Sequence, residues 1–217
     1  MESDSDISGI LGKLGGTREE EILQTMKELY SQIAQKQTVW YEKSGFTCPP
    51  ACGECCRNFE PDLLESEAYF MAAWLLEKEP ELAEKVALGD FPFPANKGCP
   101  FWNEHDEHHC RIYGGRAFVC RFFGAYGAKS KNGEVVFKPC KFYSAELLAL
   151  HKPPLAHRQY GEGEIKAIFG TVPPLSTDIM ENALSLNPDN KTSRLVREIL
   201  PETIRHLKWI CSMVAGE

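Results

Sequence analysis

Cys48-Pro49-Pro50-Ala51-Cys52-Gly53-Glu54-Cys55-Cys56 places four sulfur donors within nine residues. Pro49 and Pro50 cannot continue a helix and Gly53 favours a tight turn, so the stretch reads as a loop on which thiolates converge. Thiolates select zinc, copper(I) or iron–sulfur clusters. Four cysteines acting only as small buried hydrophobes is the weaker explanation beside two prolines and a glycine. Cys55 and Cys56 are neighbours, and adjacent side chains on extended backbone point apart. The pair is therefore expected to serve two ions, or one ion plus an outer thiol.

Working outward, Cys99, Cys110, Cys120 and Cys140 follow, so eight of the nine cysteines fall within 48–140 and only Cys211 stands apart. Disulfides would explain such a number in a small exported domain. The start of this chain, with Glu2, Asp4 and Asp6, lacks the basic opening and apolar stretch of a secretory signal. The expected location is cytoplasmic, where reduced thiols are better explained by metal or catalysis. Cys211 lies among Leu207, Ile210 and Val214 at helical spacing and reads as a buried small hydrophobe.

The flanks read as helical. Thr17 and Glu20 make a capping box, and Ile22, Met26, Leu29 and Ile33 recur at helical spacing, predicting a helix over 18–41. A second is predicted over 61–78, with Pro61 in its first turn and Leu64, Ala68, Met71 and Leu75 on one face. Pro92, Pro94, Gly98 and Pro100 make 91–109 irregular, a stretch for metal ligation rather than hydrogen-bond ladders to hold. Segments 117–125 and 134–138 are aromatic and β-branched, and Lys131-Asn132-Gly133 supplies a turn, so one short hairpin is predicted, with Cys120 and Cys140 on or beside it. A brief helix over 144–150, a connecting region rich in proline and glycine, and a helix over 195–214 interrupted or restarted at Pro201 complete the chain.

The most distinctive stretch is Cys110-Arg111-Ile112-Tyr113-Gly114-Gly115-Arg116-Ala117-Phe118-Val119-Cys120-Arg121-Phe122-Phe123-Gly124. Together with the 48–56 motif and Cys99-Pro100-Phe101, it resembles the YkgJ-like cysteine-cluster family, described as a zinc- or iron-chelating domain. Ala117 departs from the proline usual in that family after the position of Arg116. The resemblance implies metal binding by Cys48, Cys52, Cys55, Cys56, Cys99, Cys110 and Cys120, with Cys140 an addition, and no settled reaction. Flagellin lysine methylases look like distant relatives, yet too little of the chain matches them to carry methylation over. Cys48-x3-Cys52-x2-Cys55 is also the spacing of the radical-SAM motif. Against that reading stand the helical pattern and five further cysteines that three-thiolate ligation leaves unexplained.

Other features set bounds. A net charge of −7 and a pI near 5.5 argue against a surface that neutralises phosphates, so nucleic acid is not an expected partner. The longest apolar run, 69–76, is far short of the roughly 20 residues that span a bilayer, so no membrane is expected. His105, His108 and His109 sit among Asn103, Glu104, Asp106 and Glu107 and read as solvated. His151, His157 and His206 have no partner pattern and read as structural. Arg111, Arg116 and Arg121 either offset thiolate charge or pair with the excess Asp and Glu. Tyr113 reads as a packing residue.

The fold expected is mainly α, with helices around an irregular cysteine-rich metal-binding subdomain and at most a short β-hairpin. Residues 1–16 are expected as a disordered tail and 17–217 as a single domain. The first functional reading is an iron–sulfur or iron-binding protein with a redox or electron-transfer role, an iron–sulfur oxidoreductase if it catalyses a reaction. The alternative is a structural zinc module that serves as a binding or scaffolding protein. Phosphate-binding glycine loops, a Ser/His/Asp order and a dinucleotide fingerprint are absent from the sequence, which indicates neither a substrate nor a protein partner.

Overall fold

The computed structural model describes residues 5–45, 52–93, 98–106, 108–124, 126–186 and 192–214. It is mainly helical, with a few short antiparallel strands. The chain divides into two compact units, a division that the single-domain reading of 17–217 did not contain. Unit 1 comprises 1–31, 51–120 and 183–217; unit 2 comprises 32–50 and 121–182.

In place of the expected solvated tail, unit 1 begins with a helical turn, α1 (Ser8–Gly12), between the fully buried Ile7 and Leu14. Three apolar residues at positions 7, 10 and 14 give even this short segment a face to bury. Helix α2 (Arg18–Ser44) starts where the capping box placed it. The Thr17 hydroxyl accepts the Glu20 N–H at 3.2 Å, and Glu19, Glu20 and Glu21 sit in the first turn, where the helix dipole favours them. The boundary between the units falls within this helix, after Ser31.

After the single turn α3 (Glu54–Arg57), Asp62–Leu63 forms a two-residue strand, β1, so the next helix starts later than Pro61. That helix, α4, runs Glu65–Lys78. Its start was misplaced because Asp62 and Leu63 pair with Leu195 and Arg194, 133 and 131 residues away, a contact no local pattern announces. Helix α4 is buried on every side from Ser66 to Leu75, not along one face. Helix α5 (Pro80–Ala87) follows with proline in its first turn. The strand β1 partners β5 (Arg194–Leu195), and α10 (Val196–Val214) then packs along α4 and α5. Pro201 lies inside α10 without restarting it; near the helix start it removes a single ladder donor. Tyr30 meets Phe70 and Phe118 edge-on at 4.5 and 4.9 Å in the core of this unit.

Between 113 and 122 a 3₁₀ turn, Tyr113–Gly115, leads into α6 (Phe118–Phe122). Here a strand was predicted, and the chain is helical instead. Its β-prone Phe118, Val119 and Phe122 are overridden by a tertiary cap, since buried Glu67 accepts the Phe118 N–H at 2.8 Å.

Unit 2 holds a hairpin whose turn and second strand fall where the sequence placed them, and whose first strand lies after the predicted 117–125 segment. Strands β2 (Ala128–Lys129) and β3 (Val135–Phe137) pair antiparallel around a turn at Gly133, whose φ of +80° suits glycine. Helix α7 (Ala145–Ala149) is capped by the Ser144 hydroxyl. The region expected only to connect contains β4 (Tyr160–Gly161), which adds a third strand beside β3, then α8 (Glu162–Phe169) and α9 (Ser176–Ser185). Trp40, Phe137 and Phe169 interlock with ring centroids 4.9–5.7 Å apart at the centre of this unit's core. Among the described residues no helix is long and apolar enough to cross a membrane.

Candidate metal centre

Cys48 lies outside the described residues. Cys52, Cys55, Cys56, Cys99, Cys110 and Cys120 all belong to unit 1, and Cys140 belongs to unit 2. No disulfide joins any of the described cysteines.

The 52–57 segment closes one helical turn, in which the Cys56 N–H donates to the Gly53 carbonyl at 3.0 Å. Successive side chains on a helix stand about 100° apart instead of opposed. Cys55 and Cys56 are consequently side by side, with Sγ atoms 3.7 Å apart, and not divergent as extended backbone would make them. Gly53 is buried against His109; a Cβ there would lie 2.7 Å from the His109 Cγ.

Cys99 is brought to this turn by its own backbone. Its N–H donates to the Cys56 carbonyl at 3.0 Å. Gly98 makes that approach possible, with φ of +100° and no side chain; a Cβ would sit on the Arg57 carbonyl, 2.8 Å from its carbon and 3.1 Å from the Cys56 oxygen. The chain beyond folds back on itself. Trp102 and Cys110 form an antiparallel bridge, the Arg111 N–H donates to the Phe101 carbonyl at 2.9 Å, and His109 occupies the left-handed region with φ of +52°. A short backbone bridge, not ligation alone, therefore holds part of this stretch. Cys120 arrives on α6, whose start is fixed by Glu67: one carboxylate oxygen takes the Phe118 N–H and the other takes the Leu64 N–H at 3.0 Å.

These elements bring Cys55, Cys56, Cys99, Cys110 and Cys120 within electrostatic reach of one another. Each retains some exposed surface, yet the surrounding protein desolvates the sulfurs. Among the described residues no three Cys, His, Asp or Glu side chains close to metal-ligand spacing. The hydrogen bond with Cys56 lowers Cys55 to about 7, and its partner Cys56 is raised by the same contact and by burial. Burial, then the neighbouring Cys110, pushes Cys99 up to about 12. Burial takes Cys110 to about 11 and holds Cys120 well above the ordinary thiol range. Buried thiols that raise one another are poor anions alone and a fitting set for a soft cation that compensates their charge.

Positive charge does come near, from one of the three arginines that the sequence pointed to and from one that it did not. Arg116 lowers Cys55, Cys110 and Cys120 electrostatically, and its guanidinium lies 3.6 Å from the centre of the Tyr113 ring. Arg197, on α10, favours the Cys99 thiolate, donates to the Gly98 and Phe93 carbonyls and pairs with Glu60 at 3.2 Å. Sequence separation of nearly a hundred residues hid it. Arg111 instead pairs with Glu79 at 3.0 Å, and Arg121 belongs to unit 2, where its carbonyl accepts from Gln37. His105 is exposed, and His108 stacks on Tyr113 at 3.9 Å. Cys140 packs against the aromatic core of unit 2, and Cys211 is half-buried on α10.

Residues 47–146 match the family model CxxCxxCC, whose description reads "Putative zinc- or iron-chelating domain". This segment is similar to the cysteine-cluster domains of the YkgJ type. The match supports metal binding by the cysteine-cluster domain, and it contains all eight candidate thiols. No curated protein and no solved structure matches the chain.

Proposed function

We propose that the cysteine-cluster domain holds an iron–sulfur cluster, through thiolates drawn from Cys52, Cys55, Cys56, Cys99, Cys110 and Cys120, and serves a redox or electron-transfer role. Cys48 joins this set on the motif alone. The observation that carries the reading is the number of sulfurs that the fold gathers. Five of them each feel the charge or the hydrogen bond of at least one other, one more than the four that a tetrahedral zinc takes. A cluster leaves room for neighbouring thiols that hydrogen-bond to its sulfurs and tune it.

An iron–sulfur cluster would supply one-electron transfer within these residues. The chain's own part is to desolvate the centre, to fix the sulfurs on rigid turns and to offset negative charge. Gly98 and the Cys99-to-Cys56 hydrogen bond set one pair; Glu67 sets Cys120 by capping α6. Arg116 and Arg197 counter the charge of the thiolates, which favours the more negative, reduced state. Zinc is the second reading, because the same soft donors serve it and burial of Cys99, Cys110 and Cys120 suits a closed structural site.

Metal content of single variants tests the ligand set. Cys110→Ser and Cys120→Ser are expected to lose metal, since a hard hydroxyl replaces a soft thiolate. Cys211→Ser is expected to keep it. Full metal in both of the first two variants would remove those residues from the centre.

A further inference from the structure

Unit 2 contains a cavity of about 370 Å³ between its hairpin and the 138–142 turn, within the size range of small-molecule sites. Its walls are aromatic and apolar, with Phe123, Tyr126 and Phe142 prominent among them. Among the described lining residues the polar side-chain groups are few: Lys138, Lys141, Gln159, the Tyr126 phenol and the Cys140 thiol. None of the described residues that line it is a carboxylate.

That last feature is unexpected for a chain with a net charge of −7. The charge is unevenly divided, because unit 2 carries ten Lys and Arg against seven Asp and Glu. Nearby carboxylates are turned to other uses: Glu162 pairs with Lys166 at 2.6 Å and Glu164 with Arg158 at 2.6 Å. Lys138 and Lys141 are exposed at the cavity, and the Lys141 ammonium lies 4.8 Å from the centre of the Phe142 ring.

The cavity is also held in shape. Ala128 pairs with Val136 across the hairpin, and the Gly127 N–H donates to the Pro174 carbonyl at 2.9 Å. A Cβ on Gly127 would meet the Pro173 ring and the Val136 carbonyl at 2.9 Å, so the strand approaches closely only because the residue is glycine. Phe142 is more than a third exposed, an apolar surface that a flat ligand would cover.

We propose that this cavity is a binding site for an organic anion with a flat apolar body, a carboxylate, sulfonate or phosphate ester carried on an aromatic ring system. The aromatic walls take the body, and Lys138 and Lys141 take the charge. Cys140, which the sequence grouped with the metal ligands, is the thiol in the wall of this site. Binding here does not depend on the proposed metal centre.

Titration of the full-length protein with the fluorescent naphthalene sulfonate 1-anilinonaphthalene-8-sulfonate tests this, with its uncharged analogue N-phenyl-1-naphthylamine as the control. Saturable binding of the sulfonate is expected, and occupancy should slow alkylation of Cys140 by iodoacetamide, read by peptide mass analysis, while Cys211 is unaffected. The double substitution Lys138→Glu with Lys141→Glu is expected to weaken sulfonate binding about tenfold, the effect of reversing two exposed charges, and to leave the uncharged analogue unchanged. The charge-keeping pair Lys138→Arg with Lys141→Arg should bind as the unaltered protein does. Equal weakening of both probes, an alkylation rate at Cys140 that the sulfonate does not change, or loss of binding in the arginine variant would overturn the assignment.

Discussion

Replacing Gly98 with alanine probes how the fold brings Cys99 to Cys56. Gly98 has φ of +100°, where an L side chain is strained by about 1–2 kcal/mol. The added Cβ would also collide with backbone, at the Arg57 carbonyl and 3.1 Å from the Cys56 oxygen, and backbone cannot swing aside as a side-chain end can. Relieving the collision pulls the 98–99 backbone away from 56–57 and weakens the 3.0 Å hydrogen bond from Cys99 to Cys56, a further loss of about 1 kcal/mol. The expected cost is about 2–4 kcal/mol in the metal-loaded protein, with a fall in bound metal because Cys99 moves off the centre. Gly89→Ala is the matched control. Its φ of +82° carries the same kind of backbone strain, but nothing lies within 4 Å of the new methyl, so the cost stays near 1–2 kcal/mol with metal content intact. Urea unfolding and metal analysis on both variants make the comparison. If Gly98→Ala matches Gly89→Ala in both readouts, the close approach does not organise the centre.

Glu67→Ala should cost about 2–4 kcal/mol, because it strands the buried Leu64 and Phe118 N–H groups, and should reduce metal retention through Cys120; unfolding curves and metal analysis decide it. Arg116→Gln should lower the midpoint potential of the centre by on the order of 100 mV, the work of one nearby charge at an effective dielectric constant of about 20, whereas Arg116→Lys should hold it. A redox titration in which the two variants agree removes Arg116 from that role. Metal uptake should release protons. Cys99 and Cys110, raised to about 12 and 11, are protonated at neutral pH without metal and must lose their protons to bind it, so affinity falls as pH falls. Calorimetric heats that do not vary with the ionisation enthalpy of the buffer would contradict this.

The parts of the fold that local chemistry controls were legible in the sequence. The Thr17 and Glu20 cap announced α2, Ser144 announced α7, and Asn132-Gly133 announced the hairpin turn. What failed depended on partners distant in the chain. Strand β1 exists because Arg194 and Leu195 pair with it, and α6 is a helix, despite Phe118 and Val119, because Glu67 caps it from 51 residues away. Helix α8 was hidden in a glycine- and proline-marked stretch. Its end is set by Gly170 in the left-handed region, which reads equally as a loop signal. For the candidate centre, clustered cysteines marked the candidate donors. Their order in space was not readable, since it depends on Gly98, on the side-by-side placement of Cys55 and Cys56, and on Arg197. Cys140, 20 residues after Cys120, belongs to the other compact unit.

The central claim is that these thiols hold an iron–sulfur cluster that accepts electrons. The direct measurement is the visible absorption spectrum of protein purified without oxygen, taken before and after dithionite, alongside iron, sulfide and zinc analysis of the same sample. Broad sulfur-to-iron charge-transfer absorption that bleaches on reduction, with iron and acid-labile sulfide in matching amounts, is expected. A colourless protein carrying stoichiometric zinc would contradict the redox account and leave the structural zinc reading in its place.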